Sequence, residues 1–166
     1  MAVDNISTFS GWENGKLKIN EELIHHWNEF SDTKKQYATY KIIEKLCSNY
    51  FITETSLNAY LEKCDPSLQT VIRNISQNKF SAAQAQLHVL AKTGNAAAIN
   101  NLAFVIEDKK ITATEADFEC AGISMPEGDC YAQATALYRV AAIQGNATAI
   151  NNLAFVIEHK KITALC

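Results

Sequence analysis

Proline occurs only twice in this sequence, at Pro66 and Pro126, and glycine six times. So few breaks leave long segments free to run as helix. Basic runs are missing as well. Lysine and arginine total 15 against 18 aspartates and glutamates, a formal net charge of −3. Residues 1–80 carry −1 and residues 81–166 carry −2, so neither half is basic. That balance speaks against nucleic acid and against an anionic membrane as the partner. No apolar stretch approaches the about 20 residues that a membrane-spanning helix needs. The opening stretch, MAVDNISTFSGWENGKLK, holds neither a basic head nor an apolar core, so no secretory leader is expected.

The five cysteines are Cys47, Cys64, Cys120, Cys130 and Cys166. An odd number without a leader predicts free thiols in a reducing, cytoplasmic setting. No C-x-x-C pair occurs, and His25 and His26 are adjacent rather than four apart, so no metal site is expected. His88 and His159 stand alone. Gly-rich phosphate loops, nucleophile elbows and paired-carboxylate motifs are absent. The expectation is a protein with no cofactor, no metal and no catalytic residues.

What the sequence does hold is helical periodicity, with 48% apolar residues. The predicted class is all-α. Residues 1–19 read as irregular, and KLKI at 16–19 has no obvious partner strand. Asn20 can cap a helix from Glu21 to Phe30, with two glutamates favourable in its first turn. Ser31 to Thr33 offers a cap before a stripe of Tyr37, Tyr40, Ile43 or Glu44, and Cys47. Thr53 or Thr55 starts a third helix carrying Leu57, Tyr60 and Leu61. Asp65-Pro66 is a strong start signal, aspartate as cap and proline at the first helical position. Leu68, Val71, Ile72 and Ile75 follow on that helix. These helices make up an N-terminal region, residues 1–79.

From Phe80 the chain repeats itself. GNAAAINNLAFVIEDKKITA at 94–113 returns at 145–164 as GNATAINNLAFVIEHKKITA, and 18 of the 20 positions are identical. Only Ala97/Thr148 and Asp108/His159 differ. The match extends upstream at the same offset of 51, Phe80 over Tyr131, Ala83 over Ala134, Leu87 over Tyr138, Ala91 over Ala142. Each unit, 80–111 and 131–162, reads as helix, Gly-Asn turn, helix. Residues 112–130 form an acidic linker between them.

At about 100° per residue the second helix carries Ala98, Leu102 and Val105 on one side, with Ile99, Ala103 and Ile106 beside them. That apolar arc spans roughly 160°, more than a helix with one neighbour uses. The alanines let helix axes approach closely. One hairpin alone cannot cover such a surface, so the hairpins must stack, an α-solenoid after the N-terminal helices. Packing asks only for similar residues. Identity at the polar letters as well points to a recent duplication or to a duplicated surface.

Opposite the arc lie Phe104 and Phe155, set among Asn100, Asn101, Asn151 and Asn152. Aromatic rings flanked by amides on an open face suit partner binding. Glu115, Asp117 and Glu119 in the linker could meet a basic patch on the same partner. Both rings are expected on an exposed face.

The segments AQAQLHVLAKTGNAAAINNLA (83–103) and ALYRVAAIQGNATAINNLA (136–154) resemble the SEL-one-like repeat, a relative of the tetratricopeptide repeat. The likeness covers about half the chain. The offset of 51 exceeds the family's usual period of under about 45 residues, and the excess sits in 112–129 as an expected short helix. The resemblance implies a binding scaffold, since such repeats commonly serve as adaptors, many of them bacterial, including secretion-linked and toxin-neutralising proteins. The partner expected is another protein, in an adaptor or inhibitor role. The last repeat stops at Cys166 without a capping helix, which adds self-association as an expectation. The alternative is a small hydrolase or ligand-binding protein with a site between the N-terminal helices and the repeats, built on His25, His26, Cys64 and Asp65.

Overall fold

The computed structural model describes residues 3–159. The chain divides into two compact units, Met1–Asn78 and Lys79–Cys166. Helix dominates at 65% of the chain. The all-α expectation needs one correction, because residues 9–19 form a β-hairpin.

That hairpin follows from local chemistry. Strand β1 (Phe9–Glu13) pairs antiparallel with β2 (Lys16–Ile19) across Asn14-Gly15. Both turn residues take positive φ, 52° and 79°. Asparagine and glycine tolerate that conformation, which a two-residue hairpin turn requires at both positions. On β2 the exposure alternates, with Leu17 and Ile19 buried and the two lysines turned outward. The Leu17 N–H donates to Phe51 O at 2.7 Å, and the Thr53 N–H donates to Leu17 O at 2.8 Å. Residue 52 is therefore a parallel neighbour on the far side of β2.

Helix α1 (Glu21–His25) starts at Asn20, whose side chain accepts the Glu22 N–H at 3.1 Å. It is shorter than the expected run to Phe30, because residues 27–29 tighten into a 3-10 turn that buries Trp27. Helix α2 (Asp32–Cys47) is capped by Ser31, and α3 (Glu54–Leu61) follows. Helix α4 (Pro66–Ser76) begins at Asp65, which accepts the Ser67 N–H at 3.0 Å. The N-terminal core gathers Ile19, Leu23, Trp27, Ile42, Ile43, Tyr60, Leu61, Ile72 and Ile75. The expected stripe of α2 is inside at Tyr40, Ile43 and Cys47. Tyr37 is exposed, and Ala38 and Ile42 take the inside. At the centre Tyr60 OH lies 2.6 Å from Thr39 Oγ1, so the buried phenol has a partner.

The second unit opens with α5 (Phe80–Lys92) and α6 (Ala96–Glu107). A short α7 (Glu115–Glu119) sits in the acidic linker. Then come α8 (Cys130–Ile143) and α9 (Ala147–His159). Both Gly-Asn pairs do the same two jobs. Gly94 and Gly145 take positive φ, 84° and 93°, and end the first helix of each hairpin. Asn95 and Asn146 then accept the N–H of Ala98 and Ala149, at 3.0 and 2.8 Å, and start the second. Residues 160–162 of the second repeat, and Cys166, lie outside the described residues.

The two hairpins pack side by side. Helix α6 touches α5, α8 and α9, and α8 also packs on α9. Ala98, Ala103, Ala134, Ala141 and Ala149 on these helices are fully buried, and such small side chains let helix axes approach closely. The whole expected arc of α6 is inside, from Ala98 through Ile106.

Ile99→Ala should therefore lower stability by about 2–5 kcal/mol, and Ile150→Ala, at the matching position of α9, by less than about 1 kcal/mol. Urea unfolding of dilute protein compares the two, and equal losses would contradict the difference in cover.

Candidate functional site

Helices α6 and α9 share eleven of twelve residues over 96–107 and 147–158, yet they meet different surroundings. In α6, Ile99, Asn100, Ala103 and Phe104 are at most 7% exposed. Their counterparts on α9 lie open. Ile150 is 52% and Phe155 50% exposed, and Asn151 and Ala154 are exposed beside them. Positions 150, 151, 154 and 155 fall on one side of a helix. Ala149 and Val156, on the inner side, stay fully buried. The difference outlines a seat on α9 that α6 has filled. At the end of α8, Ile143 is 86% exposed as well.

Amides mark the filled side. Asn152 Nδ2 donates to Asn100 Oδ1 at 3.1 Å, and Asn100 Nδ2 donates to Asn101 Oδ1 at 3.4 Å. The first bond crosses the hairpin boundary and the second stays within α6, so buried Asn100 and Asn101 both have partners, as buried polar groups must. On α9, Asn151 stands where Asn100 stands on α6, but in the open. Phe155 has acquired a local companion. The His159 ring stacks on it at 4.3 Å and 20°. His159 is one of the two positions where the copies differ, and Asp108 replaces it after α6.

The residues expected to bind a partner therefore separate. Asn151 and Phe155 are on the open face, and Asn152 is half-buried and turned toward α6. Asn100, Asn101 and Phe104 are interior, which corrects the expectation of two exposed rings. The second hairpin covers the first, and nothing among the described residues covers the second in the same way. Ile150 was not among the expected residues. It belongs to the apolar arc of the repeat, and no described residue covers it as α6 is covered.

The linker splits too. Glu115 and Glu119 are exposed, whereas Asp117 is fully buried. Its carboxylate accepts Gln84 Nε2 at 3.0 and 2.9 Å and the Thr114 N–H at 2.7 Å, and it pairs with His88 Nε2. Asp117 ties α7 to α5 and is not available to a partner. Beside it, Cys120 Sγ lies 3.1 Å from Asp117 O, and burial pushes that thiol up.

The four residues of the enzyme alternative do not form a nucleophile–base pair. Cys64 is buried, with its thiol against Leu61 O and Asp65 O, and burial pushes it up to about 11. That favours an inert thiol over a nucleophile. Asp65 is spent on the α4 cap. His26 lies between Glu29 and Glu22, at 2.5 and 3.3 Å. His25 touches His26 edge to face and lines a groove with Glu21, Glu22 and Lys63. A second groove of 420 Å³, beside β2 and the start of α3, is lined by Glu13, Lys16, Lys18, Glu21 and Glu54 and includes no histidine or cysteine. Among the described residues, no three His, Cys, Asp or Glu are grouped to hold a metal ion, and no helix is long and apolar enough to cross a membrane. Compared with protein-family models, curated proteins and solved structures, the chain found no match.

Two outcomes follow from these polar contacts. Asp117→Ala should lower stability by roughly 1–3 kcal/mol by stranding Gln84 and the Thr114 N–H. Glu115→Ala and Glu119→Ala should each stay within about 0.5 kcal/mol in the same urea experiment. The hydrogen bond from Glu29 raises His26 above its ordinary range, and both glutamates add to this. Stability from that contact is fully present below the unfolded value of about 6.5 and is lost as pH rises through the folded value. NMR titration should place the His26 midpoint above that value, and Glu29→Gln should bring it down. An unmoved midpoint would deny the pairing.

Proposed function

We propose that this protein is a helical-repeat binding module of the SEL-one-like kind, whose two hairpins act as a short solenoid and whose C-terminal hairpin docks another protein. One observation carries this reading. The same helical sequence is covered at α6 and open at α9. An apolar helix face with a central amide and a half-exposed aromatic ring has the composition of an interface centre. Charged side chains do not occur at positions 150, 151, 154 or 155. The partner such a face admits is a helix, because helices are what pack on α6. The family resemblance adds the biological sense of an adaptor or inhibitor, the neutraliser of a toxin being one form of it. Exposed Glu115 and Glu119 remain available to a basic rim on the partner.

Affinity capture from the host's extract tests the module, with the unaltered chain set against Phe155→Ala. Loss of the ring should weaken capture by about tenfold or more, the effect of a central interface aromatic. The melting temperature should move by less than about 4 °C, since a half-exposed ring holds little of the fold. Phe104→Ala behaves differently, with a loss of about 3–5 kcal/mol from the core. An identical set of captured proteins with and without Phe155 would remove this face from the function.

A further inference from the structure

We propose that Trp12 and Tyr50 form a docking site for a proline-rich segment of another protein, with Lys45 pairing an acidic residue beside the prolines. The site is built wholly from the N-terminal unit and draws on none of the α9 residues.

Two touching aromatic rings are left to water here. Trp12 is 62% and Tyr50 40% exposed, whereas the other tryptophan of the chain, Trp27, is 5% exposed. Apolar surface of this kind marks interaction sites. Fixed backbone on both sides of β2 presents the pair. Trp12 stands opposite Leu17 in the hairpin. On the far side of β2, the Leu17 N–H bonds to Phe51 O and so holds the residue next to Tyr50. Asn49, at a φ of 66°, turns the chain out of α2, and the Tyr50 N–H then donates to Lys45 O at 3.1 Å. The ring centroids come to 5.7 Å apart, with planes tilted by 51°. Rings placed in advance spare a ligand the entropy of ordering them.

The chemistry of this corner selects its occupant. Tilted rings offer a bent surface, which suits puckered saturated rings better than a flat stacked base. The polar groups at its rim are donors. An indole N–H can only donate, and so can an ammonium group. Among the described residues, the Trp12 indole has no hydrogen-bond partner and Lys45 has no carboxylate partner. The Lys45 Nζ lies 5.0 Å over the Tyr50 ring instead. The complement of such a corner is apolar, rich in acceptors and poor in donors. A polyproline II segment has that composition, because its rings are apolar, its carbonyls stand unpaired and its prolines carry no N–H. Segments of this kind dock on aromatic-lined surfaces.

Lys45 also sets the sign of the flanking charge. It repels a basic residue beside the prolines and attracts an acidic one. Lys41, one turn earlier, does not add to this, because Glu44 Oε1 neutralises it at 2.5 Å. A nucleic-acid strand would need a basic groove along its backbone. Here Glu13 follows Trp12 and Glu44 precedes Lys45.

NMR of the purified full chain tests the site, since the two indole N–H signals report separately on exposed Trp12 and buried Trp27. The probes are a synthetic polyproline peptide ending in glutamate and the same peptide ending in lysine, each titrated to about millimolar concentration. The glutamate peptide should shift the Trp12 signal to saturation and leave Trp27 in place. The lysine peptide should bind at least about fivefold more weakly. Lys45→Glu should reverse that order. Tyr50→Ala should weaken binding by about tenfold or more, and Phe155→Ala should leave it unchanged. Circular dichroism and the Trp27 signal establish that each variant folds, and the comparison of the two peptides on the unaltered chain needs no variant. A Trp12 signal that moves with neither peptide, or equally with both, overturns the proposal, as does binding indifferent to Tyr50→Ala. A shift caused by an uncharged oligosaccharide or a single-stranded oligonucleotide, and not by polyproline, would give the corner to that ligand and overturn it too.

Discussion

The C-terminal unit depends on the covering of α6. Ile99, Leu102, Val105 and Ile106 leave water there, each worth about 1.5–3 kcal/mol. No single neighbour could cover residues spread so far round a helix. Helix α5 covers part, and α8 and α9 cover more. Alanines at the contacts set how close these helices come, and the Asn100–Asn152 bond fixes how the second hairpin sits against the first. The turn chemistry serves this arrangement. Gly94 and Gly145 stop one helix, and the next asparagine starts another within a residue, which keeps the two helices of a hairpin side by side.

The same arrangement produces the open face. A repeat that needs a neighbour on both sides leaves one side unserved wherever the described stack ends. Helix α9 keeps Ala149 and Val156 inside and presents Ile150, Asn151, Ala154 and Phe155 to solvent. One set of residues is thus buried in one hairpin and open in the other. The N-terminal unit is built on other rules, with a β-hairpin, a central Tyr60–Thr39 contact and helices capped by Asn20, Ser31 and Asp65.

Much of the fold was legible because its causes are local. The caps at Asn20, Ser31 and Asp65 act within three residues, and the Gly-Asn turns are spelled out twice. The β-hairpin was equally local and was missed. Asn14-Gly15 between Glu13 and Lys16 is a strong hairpin signal, but β1 lacks a clear alternation, and the pairing slips at a bulge between Phe9 and Gly11. Tyr37 was misplaced for another reason. Of the α2 stripe, Tyr40, Ile43 and Cys47 are inside as expected, and only the packed core leaves Tyr37 out and brings Ala38 and Ile42 in.

The candidate site divides along the same line. The sequence by itself determined where helices start and stop, that two hairpins are copies, and which residues on each form an apolar arc, because caps, turns and periodicity are short-range. Only the tertiary structure decided that Phe104 is interior and Phe155 open, that Asp117 is locked onto Gln84 and His88 while Glu115 and Glu119 face water, and that Ile150 lies open with Phe155. Identical words had opposite fates because burial belongs to the neighbours a helix acquires, and those neighbours lie far away in the chain.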